Sequence, residues 1–259
     1  MPDPVTRQIH LWCAFCEAIR DEALLRQYSA LLSETERQQQ ARFYFAHDRH
    51  RYLITRALTR TVLSRYADVA PRDWTFRASS HGRPEICNEH PAARLVSFNI
   101  SHSTNFVIIA VTRELPLGVD TEDCETRQPP LEIADRFFAP DEVSELRSLP
   151  SQRQLRRFFQ YWTLKESYIK ARGLGLAIPL DQFSFHFETE RHVTLATSPS
   201  LQDPAEQWRF WQFQVTAANL IAVCAQRLPD GPQQLVLRQV VPLVADAPLE
   251  CTALCESPS

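Results

Sequence analysis

Lysine is almost absent from this chain of 259 residues. Only Lys165 and Lys170 occur, and every other fixed positive side chain is arginine. Arginine is a planar fork that never loses its proton, whereas lysine is a compact point charge whose pKa its surroundings can move. Keeping lysine in one segment alone points to a need for an ammonium group there. Long apolar runs are also missing. Stretches such as Phe106–Val111 and Leu220–Ala225 fall far short of the ~20 residues that span a bilayer, so no membrane partner is expected. The chain opens without a basic stretch followed by an apolar block, and the expectation is a cytoplasmic protein. A net charge of -3 supplies no basic field, so nucleic acid is not an expected partner.

What is present suits a globular protein with an ample core: 44% of the residues are hydrophobic, enough for one large domain or two small ones. Seven cysteines are scattered along the chain. Cys13 and Cys16 have metal-ligand or redox spacing, but no matching second pair follows, so they read as small buried thiols.

Three stretches of the first half have echoes, in the same order, in the second. Leu31–Glu36 resembles Phe137–Glu142, Arg42-Phe43-Tyr44 resembles Arg157-Phe158-Phe159, and Asn105–Ala110 resembles Asn219–Cys224. The shared order implies an internal duplication. Each half opens with a strand (Gln8–Cys13; Leu117–Glu122). A short helix follows, with a Ser33/Glu36 capping box in one half and Pro140 in a first turn in the other. Long amphipathic helices are expected over about Phe43–Tyr66 and Gln154–Arg172. Alternating strands are expected at Trp74–Arg77, Val96–Ile100, Phe183–Phe187 and Trp211–Val215. The fold class is α+β: two pseudo-twofold-related subdomains, each with a long helix packed on a mainly antiparallel sheet. The boundaries are 1–114, 115–228 and a C-terminal extension, 229–259, whose last dozen residues form a poorly ordered tail.

The chemistry-bearing residues cluster. Asp120 and Glu122 stand at i and i+2 on a strand and share a face. Paired carboxylates repel unless a cation sits between them, which points to a hard metal; the alternative is a solvated acidic pair. Glu166 and Lys170 share a helix face four residues apart, as an ordinary salt bridge or as part of the same site. Gly173-Leu-Gly175 closes that helix with glycines able to take positive φ. Asn99-Ile-Ser101-His102-Ser103 ends a strand with polar groups that can hold phosphate oxygens. Adjacent Ser101 and His102 are poor geometry for a nucleophile and base, so a serine hydrolase is not indicated. The Gly82-Arg83-Pro84 turn and Arg51 add a basic rim. A basic rim facing an acidic metal site suits a polyphosphate bridged by Mg²⁺.

In these residues the chain resembles the Sfp-type 4′-phosphopantetheinyl transferases over roughly Gln8 to Gln226. The most specific element is Trp162-Thr-Leu-Lys165-Glu166-Ser-Tyr-Ile-Lys170 followed by Gly173-Leu-Gly175-Leu. Gly118-Val-Asp120-Thr-Glu122 is the second signature; Asn99–Ser103, Gly82-Arg83-Pro84 and Phe137–Glu142 support it. The resemblance implies transfer of the phosphopantetheine arm of coenzyme A to a serine of apo acyl or peptidyl carrier proteins; a duplicated chain supplies both halves of the site itself, so a monomer is expected. Asp120, Glu122 and Glu166 would hold Mg²⁺, with Mn²⁺ as the alternative, and Glu166 would also take the serine proton, directly or through water. Lys170 would contact phosphate and the leaving oxygen, while Lys165 would only pack or bridge. Arg51, Arg83 and His102 would contact the nucleotide phosphates, with Asp120 and Lys170 also at coenzyme A and Gly82, Pro84, Asn99 and Ser101 shaping the pocket. The chain departs from the family in two places: Ala139 stands where a capping serine is usual, and Gln38–Gln40 where some relatives carry lysines. The loop Cys124–Arg136 and the arginines Arg147, Arg153, Arg156 and Arg157 are the expected carrier contacts. The competing readings are a Mg²⁺-dependent hydrolase of nucleotide diphosphates and a non-catalytic coenzyme A-binding module.

Overall fold

The computed structural model describes residues 7–125, 131–229 and 231–258. Two compact units emerge: Met1–Glu114 with Leu235–Leu249, and Leu115–Gln234 with Glu250–Ser259.

The first unit runs β1 (Gln8–Phe15), α1 (Glu22–Leu31), α2 (Glu34–Arg42), α3 (Ala46–Leu63), the short hairpin β2 (Phe76–Ala78) and β3 (Pro84–Ile86), α4 (Pro91–Arg94), β4 (Val96–His102) and β5 (Phe106–Arg113). The second runs β6 (Leu117–Asp123), α5 (Glu132–Phe137), α6 (Pro140–Ser148), α7 (Ser151–Arg172), the hairpin β7 (Phe183–Phe187) and β8 (Val193–Thr197), then β9 (Trp208–Gln214) and β10 (Asn219–Gln226). The last three strands are β11 (Gln234–Val241), β12 (Ala245–Pro248) and β13 (Thr252–Glu256). The strand order of the first sheet is β12-β11-β1-β5-β4, and that of the second is β13-β9-β10-β6. In each unit, therefore, the last strand of the repeat lies between the opening strand and the one before it: β1-β5-β4 in one, β6-β10-β9 in the other. Pairing within these triplets is antiparallel. The α+β class follows directly, and the shared order is the topological form of the sequence echoes.

Each long helix is stitched to its sheet by a 3–4 spaced apolar stripe. On α3, Ile54, Ala57 and Leu58 pack into a core with Trp12 of β1 and Val107 and Ile109 of β5. On α7, Phe158, Tyr161, Leu164 and Tyr168 pack with Leu220 and Ala222 of β10. The Ser33/Glu36 capping box is present in full on α2. The same Glu36 carboxylate pairs with Arg56 and Arg60 of α3, clasping the two helices together.

Three expectations differ from the fold. The first long helix starts at Ala46, not Phe43: Phe43 closes α2, and the Arg49 guanidinium donates to the carbonyls of Phe43 and Tyr44, holding the corner open. Trp74 lies outside the strand assigned to it, with its indole N–H on Ser64 Oγ. The segment read as an extension with a poorly ordered tail is instead three strands. β11 and β12 widen the first sheet and β13 the second, with Cys255 buried in the second unit's core. Of the expected carrier loop Cys124–Arg136, residues 126–130 lie outside the described residues.

Candidate active site

The second unit brings four of the candidate residues together. In the β6–β10 ladder Gly118 lies opposite Cys224, Asp120 opposite Ala222 and Glu122 opposite Leu220. Those three β10 residues belong to the core that α7 covers. The 2-residue periodicity of a strand therefore turns Gly118, Asp120 and Glu122 towards the helix carrying Glu166 and Lys170. Gly118 sets how close that helix comes. A Cβ at this position would stand 2.0 Å from Ser167 O and 2.4 Å from Ala171 N, so only glycine lets α7 lie against the strand. One strand step further on, Lys170 Nζ donates to Asp120 Oδ1 at 2.7 Å and to Val119 O at 3.1 Å. α7 ends just beyond, where Gly173 takes φ 68° and its N–H returns to the carbonyls of Ile169 and Lys170.

The electrostatics of this cluster are those of crowded acids. The Glu166 carboxyl is pushed up to about 7, first by burial and then by the negative charges of Asp120 and Glu122, against the opposing pull of Lys170. Asp120 is itself buried. Three neighbouring carboxyls offer an all-oxygen donor set of the kind hard divalent cations take. Among the described residues no three His, Cys, Asp or Glu side chains are placed as a ready metal-holding group. The acids thus meet within electrostatic reach, with the Lys170 ammonium seated on one of them.

Lys165 turns away from this cluster. It is fully buried, and its three N–H bonds find three acceptors: Glu142 Oε2 at 2.7 Å, Phe183 O at 2.6 Å and Leu180 O at 2.8 Å. Glu142 in turn accepts the backbone N–H groups of Ala139 and Phe185, each at 2.9 Å. Ala139 cannot return the side-chain bond of a capping box, so Pro140, Glu142 and Asp141, whose Oδ1 accepts the Glu142 N–H at 3.0 Å, close the start of α6. Burial raises the Glu142 pKa and lowers that of Lys165, and each charge counters the other's shift. A compact ammonium fits this three-acceptor pocket where a guanidinium would not, which explains a structural lysine in an arginine-rich chain.

The first unit gathers its own candidates at one end of β4. The β2–β3 turn is closed by Gly82 N–H to Ser79 O, with Gly82 at φ 80° and Pro84 starting β3. Arg83 Nη2 donates to Phe98 O at 2.7 Å, tying this turn to β4 beside Asn99. Burial lowers the Arg83 pKa from the ordinary arginine value. Asn99 and Ser101 share one buried face of β4, and His102 ends the strand exposed. Arg51 of α3 pairs with Asp48 at 2.6 Å and reaches Thr104 O, just past His102, at 3.4 Å. The expected carrier arginines divide. Arg147 pairs with Asp135, and Arg157 pairs with Glu145 and lies 3.8 Å over the Phe187 ring, so both are engaged within the unit. None of the cysteines forms a disulfide; Cys13 and Cys16 are buried, and burial pushes the Cys16 thiol up to about 11.

Comparison with known proteins gives these clusters a family. The 4′-phosphopantetheinyl transferase superfamily matches residues 116–225, and the N-terminal region of 4′-phosphopantetheinyl transferase matches residues 20–114. The 4′-phosphopantetheinyl transferase Sfp of Bacillus subtilis (strain 168) is 34% identical over 210 residues, covering 81% of this chain and 88% of that protein. The chain belongs to the 4′-phosphopantetheinyl transferase superfamily. The 4′-phosphopantetheinyl transferase HetI of Nostoc sp. is also 34% identical, covering 74% of this chain and 80% of its own. The solved holo-[acyl-carrier-protein] synthase of Thermotoga maritima aligns with a TM-score of 0.34 and 17% identity, over 44% of this chain and 64% of that one.

Two residues of this transferase superfamily member escape a reading by chemistry alone. Gly118 carries no functional group, yet it fixes the approach of α7 to Asp120. Its signal is a glycine inside an apolar strand, one step before an acid. Glu142 was legible only as part of a motif; its partner Lys165 lies 23 positions away, a pairing made by the fold.

Proposed function

We propose that this chain transfers the 4′-phosphopantetheine moiety of coenzyme A to a serine hydroxyl of an apo carrier protein, releasing adenosine 3′,5′-bisphosphate. The observation that carries the reading is the meeting of Asp120 and Glu122 on β6 with Glu166 and Lys170 on α7, held close by Gly118. Family membership supports the reaction class.

Asp120, Glu122 and Glu166 would hold Mg²⁺, which, when bound, neutralises charge on the pyrophosphate oxygens. In the transfer, the serine oxygen forms a bond to the phosphorus that bears the pantetheine arm. The bond from that phosphorus to the bridging oxygen breaks, and the electron pair leaves with the nucleotide. Glu166, with a carboxyl near 7 in the metal-free protein, accepts the serine proton. Lys170 moves its ammonium from Asp120 to the phosphate and steadies the departing oxygen. In the first unit, Arg51, Arg83 and His102 take the role of contacts to the nucleotide phosphates, with Gly82, Pro84, Asn99 and Ser101 shaping that surface. The protein works as a cytoplasmic monomer without nucleic acid. No helix among the described residues is long and apolar enough to cross a membrane.

The test is mass spectrometry of an apo acyl carrier protein after incubation with this protein, coenzyme A and Mg²⁺. The expected result is a serine-linked gain of one phosphopantetheine. Consumption of coenzyme A with no change in carrier mass would refute transfer.

A further inference from the structure

The flank of α7 turned away from β6 ends on a carboxylate that the transfer described above does not use. Asp203 stands in the connection between β8 and β9. Its Oδ2 accepts three donors: the Tyr168 hydroxyl, Arg172 Nη1 at 2.5 Å and Trp208 Nε1 at 2.8 Å. Arg172 Nη1 also donates to the Tyr168 hydroxyl at 2.9 Å, so the last two turns of α7 are tied to one point. The side chains of Arg172 and Asp203 are 17% and 10% exposed, so little water competes for this pair.

The anchor is itself fixed. Thr197 Oγ1 donates to Asp203 O at 2.8 Å, and the Gln202 N–H donates to Pro199 O at 3.2 Å. Gln202 takes φ 49°, a left-handed conformation that a residue with a Cβ keeps where its surroundings hold it. Apolar packing alone would bury this flank equally well. Three directional bonds to one carboxylate do more, because they fix the rotation of the helix about its axis.

The rotation matters most at Lys170. Lys165, directly before Glu166, already locks its own turn through three acceptors. Lys170 lies further on, two positions from Tyr168 and two from Arg172, which puts it about 200° round the helix from both. The end of α7 is therefore gripped from two flanks. Asp203 holds one. On the other, Ser167 and Ala171 lie against Gly118, and Lys170 bonds Asp120. In the proposed transfer Lys170 exchanges Asp120 for phosphate, which releases part of the second grip as the ammonium is delivered. The bonds to Asp203 do not depend on that exchange. A group misplaced by about 1 Å can cost on the order of 100-fold in rate.

We infer that Asp203 is a positioning residue for Lys170: through Tyr168 and Arg172 it fixes the last turn of α7 so that the ammonium meets the phosphate. The inference rests on the transferase reading for the step at which Lys170 acts. It adds a residue that works through Lys170 and not on the reacting atoms.

The test is a double-mutant cycle on the full chain: wild type, Asp203→Ala, Lys170→Ala and the double variant, each shown to be folded by thermal unfolding. Transfer to apo acyl carrier protein, with coenzyme A and Mg²⁺, is measured well below each unfolding midpoint. Asp203→Ala is expected to lower kcat by about tenfold or more, with the carrier and coenzyme A KM values within about twofold of wild type. In the Lys170→Ala background the same change should move kcat by less than about twofold, while still lowering the thermal midpoint. A purely structural Asp203 would shift the midpoint alone, so wild-type kcat in folded Asp203→Ala overturns the role and leaves the transferase reading intact. An equal loss of kcat in both backgrounds also overturns it, because the effect then does not pass through Lys170. Should Asp203→Ala not fold, Tyr168→Phe keeps the ring, removes one donor and enters the same cycle. Its expected kcat loss is about threefold, absent beside Lys170→Ala; wild-type kcat in this variant overturns the role. No modification by the wild type removes the transferase reading and the positioning role with it.

Discussion

Replacing Lys165 by methionine tests whether the two lysines do different work. Methionine keeps the length and bulk of the side chain but removes the ammonium. Its three acceptors then change state. Glu142 retains the N–H groups of Ala139 and Phe185 but loses its countercharge, and the carbonyls of Leu180 and Phe183 lose a donor. Both partners are about fully buried, 1% and 0% exposed at the side chain, so water cannot compensate. Removing one partner of a buried ion pair costs about 3–5 kcal/mol. At a urea m-value of about 3 kcal/mol per M, that lowers the unfolding midpoint by about 1–2 M. The measurement is equilibrium urea unfolding followed by tryptophan fluorescence, to which Trp162, Trp208 and Trp211 of this unit contribute. Lys165→Arg should not restore the loss, because a planar fork cannot aim at three convergent acceptors. The double change of Lys165 and Glu142 to Met and Gln should cost less than Lys165→Met alone, since no buried charge is then stranded. A loss under about 1 kcal/mol for Lys165→Met, or full rescue by arginine, would refute the reasoning.

The remaining predictions concern the acidic cluster. Lys170→Ala should lower kcat for carrier modification by about 100-fold or more, the scale for losing one charge-stabilising donor, while the protein stays folded; near-normal turnover would contradict its role at the phosphate. Gly118→Ala should destabilise by about 1–3 kcal/mol and depress transfer, because the new methyl meets the α7 backbone; thermal unfolding beside an activity assay checks both. In metal-free protein, Glu166 is raised to about 7 when folded against an ordinary 4.5, so its contribution to stability is whole below pH 4.5 and is lost as pH rises through 7. Glu166→Gln should therefore stabilise the metal-free protein at pH 8, leave it nearly unchanged at pH 4.5, and remove much of the stabilisation that added Mg²⁺ gives the wild type; an equal effect at both pH values would contradict the shift.

Much of the second unit was legible because its signals are local. The 3.6-residue stripe of α7, the Gly173 stop, the Pro140 start and the i, i+2 acids of β6 need only neighbouring residues to be read, and each stands where expected. That the two units repeat one arrangement was foreshadowed by echoes in the sequence, while the strand order itself comes from the structure. What escaped depends on tertiary contact. β11 to β13 carry weak hydrophobic alternation, as edge and near-edge strands do, and become strands through pairing with β1 and β9. Arg157 looked like a surface cation, but Glu145 and Phe187 reach it across the fold. The different roles of Lys165 and Lys170 were legible from helical spacing, but the Glu142 partner of Lys165 was not. The five-residue offset turns one into a closed pocket and the other onto Asp120.

The central claim is that the acids of β6 and α7 form one centre that moves phosphopantetheine to a carrier serine. Its most direct test is intact-mass analysis of an apo acyl carrier protein treated with coenzyme A and Mg²⁺ by the wild type, Asp120→Ala and Glu166→Ala proteins, each first shown to be folded. The account predicts one phosphopantetheine on the carrier with the wild type and none with either variant. Near-complete modification by either variant, or no modification by the wild type, would contradict it.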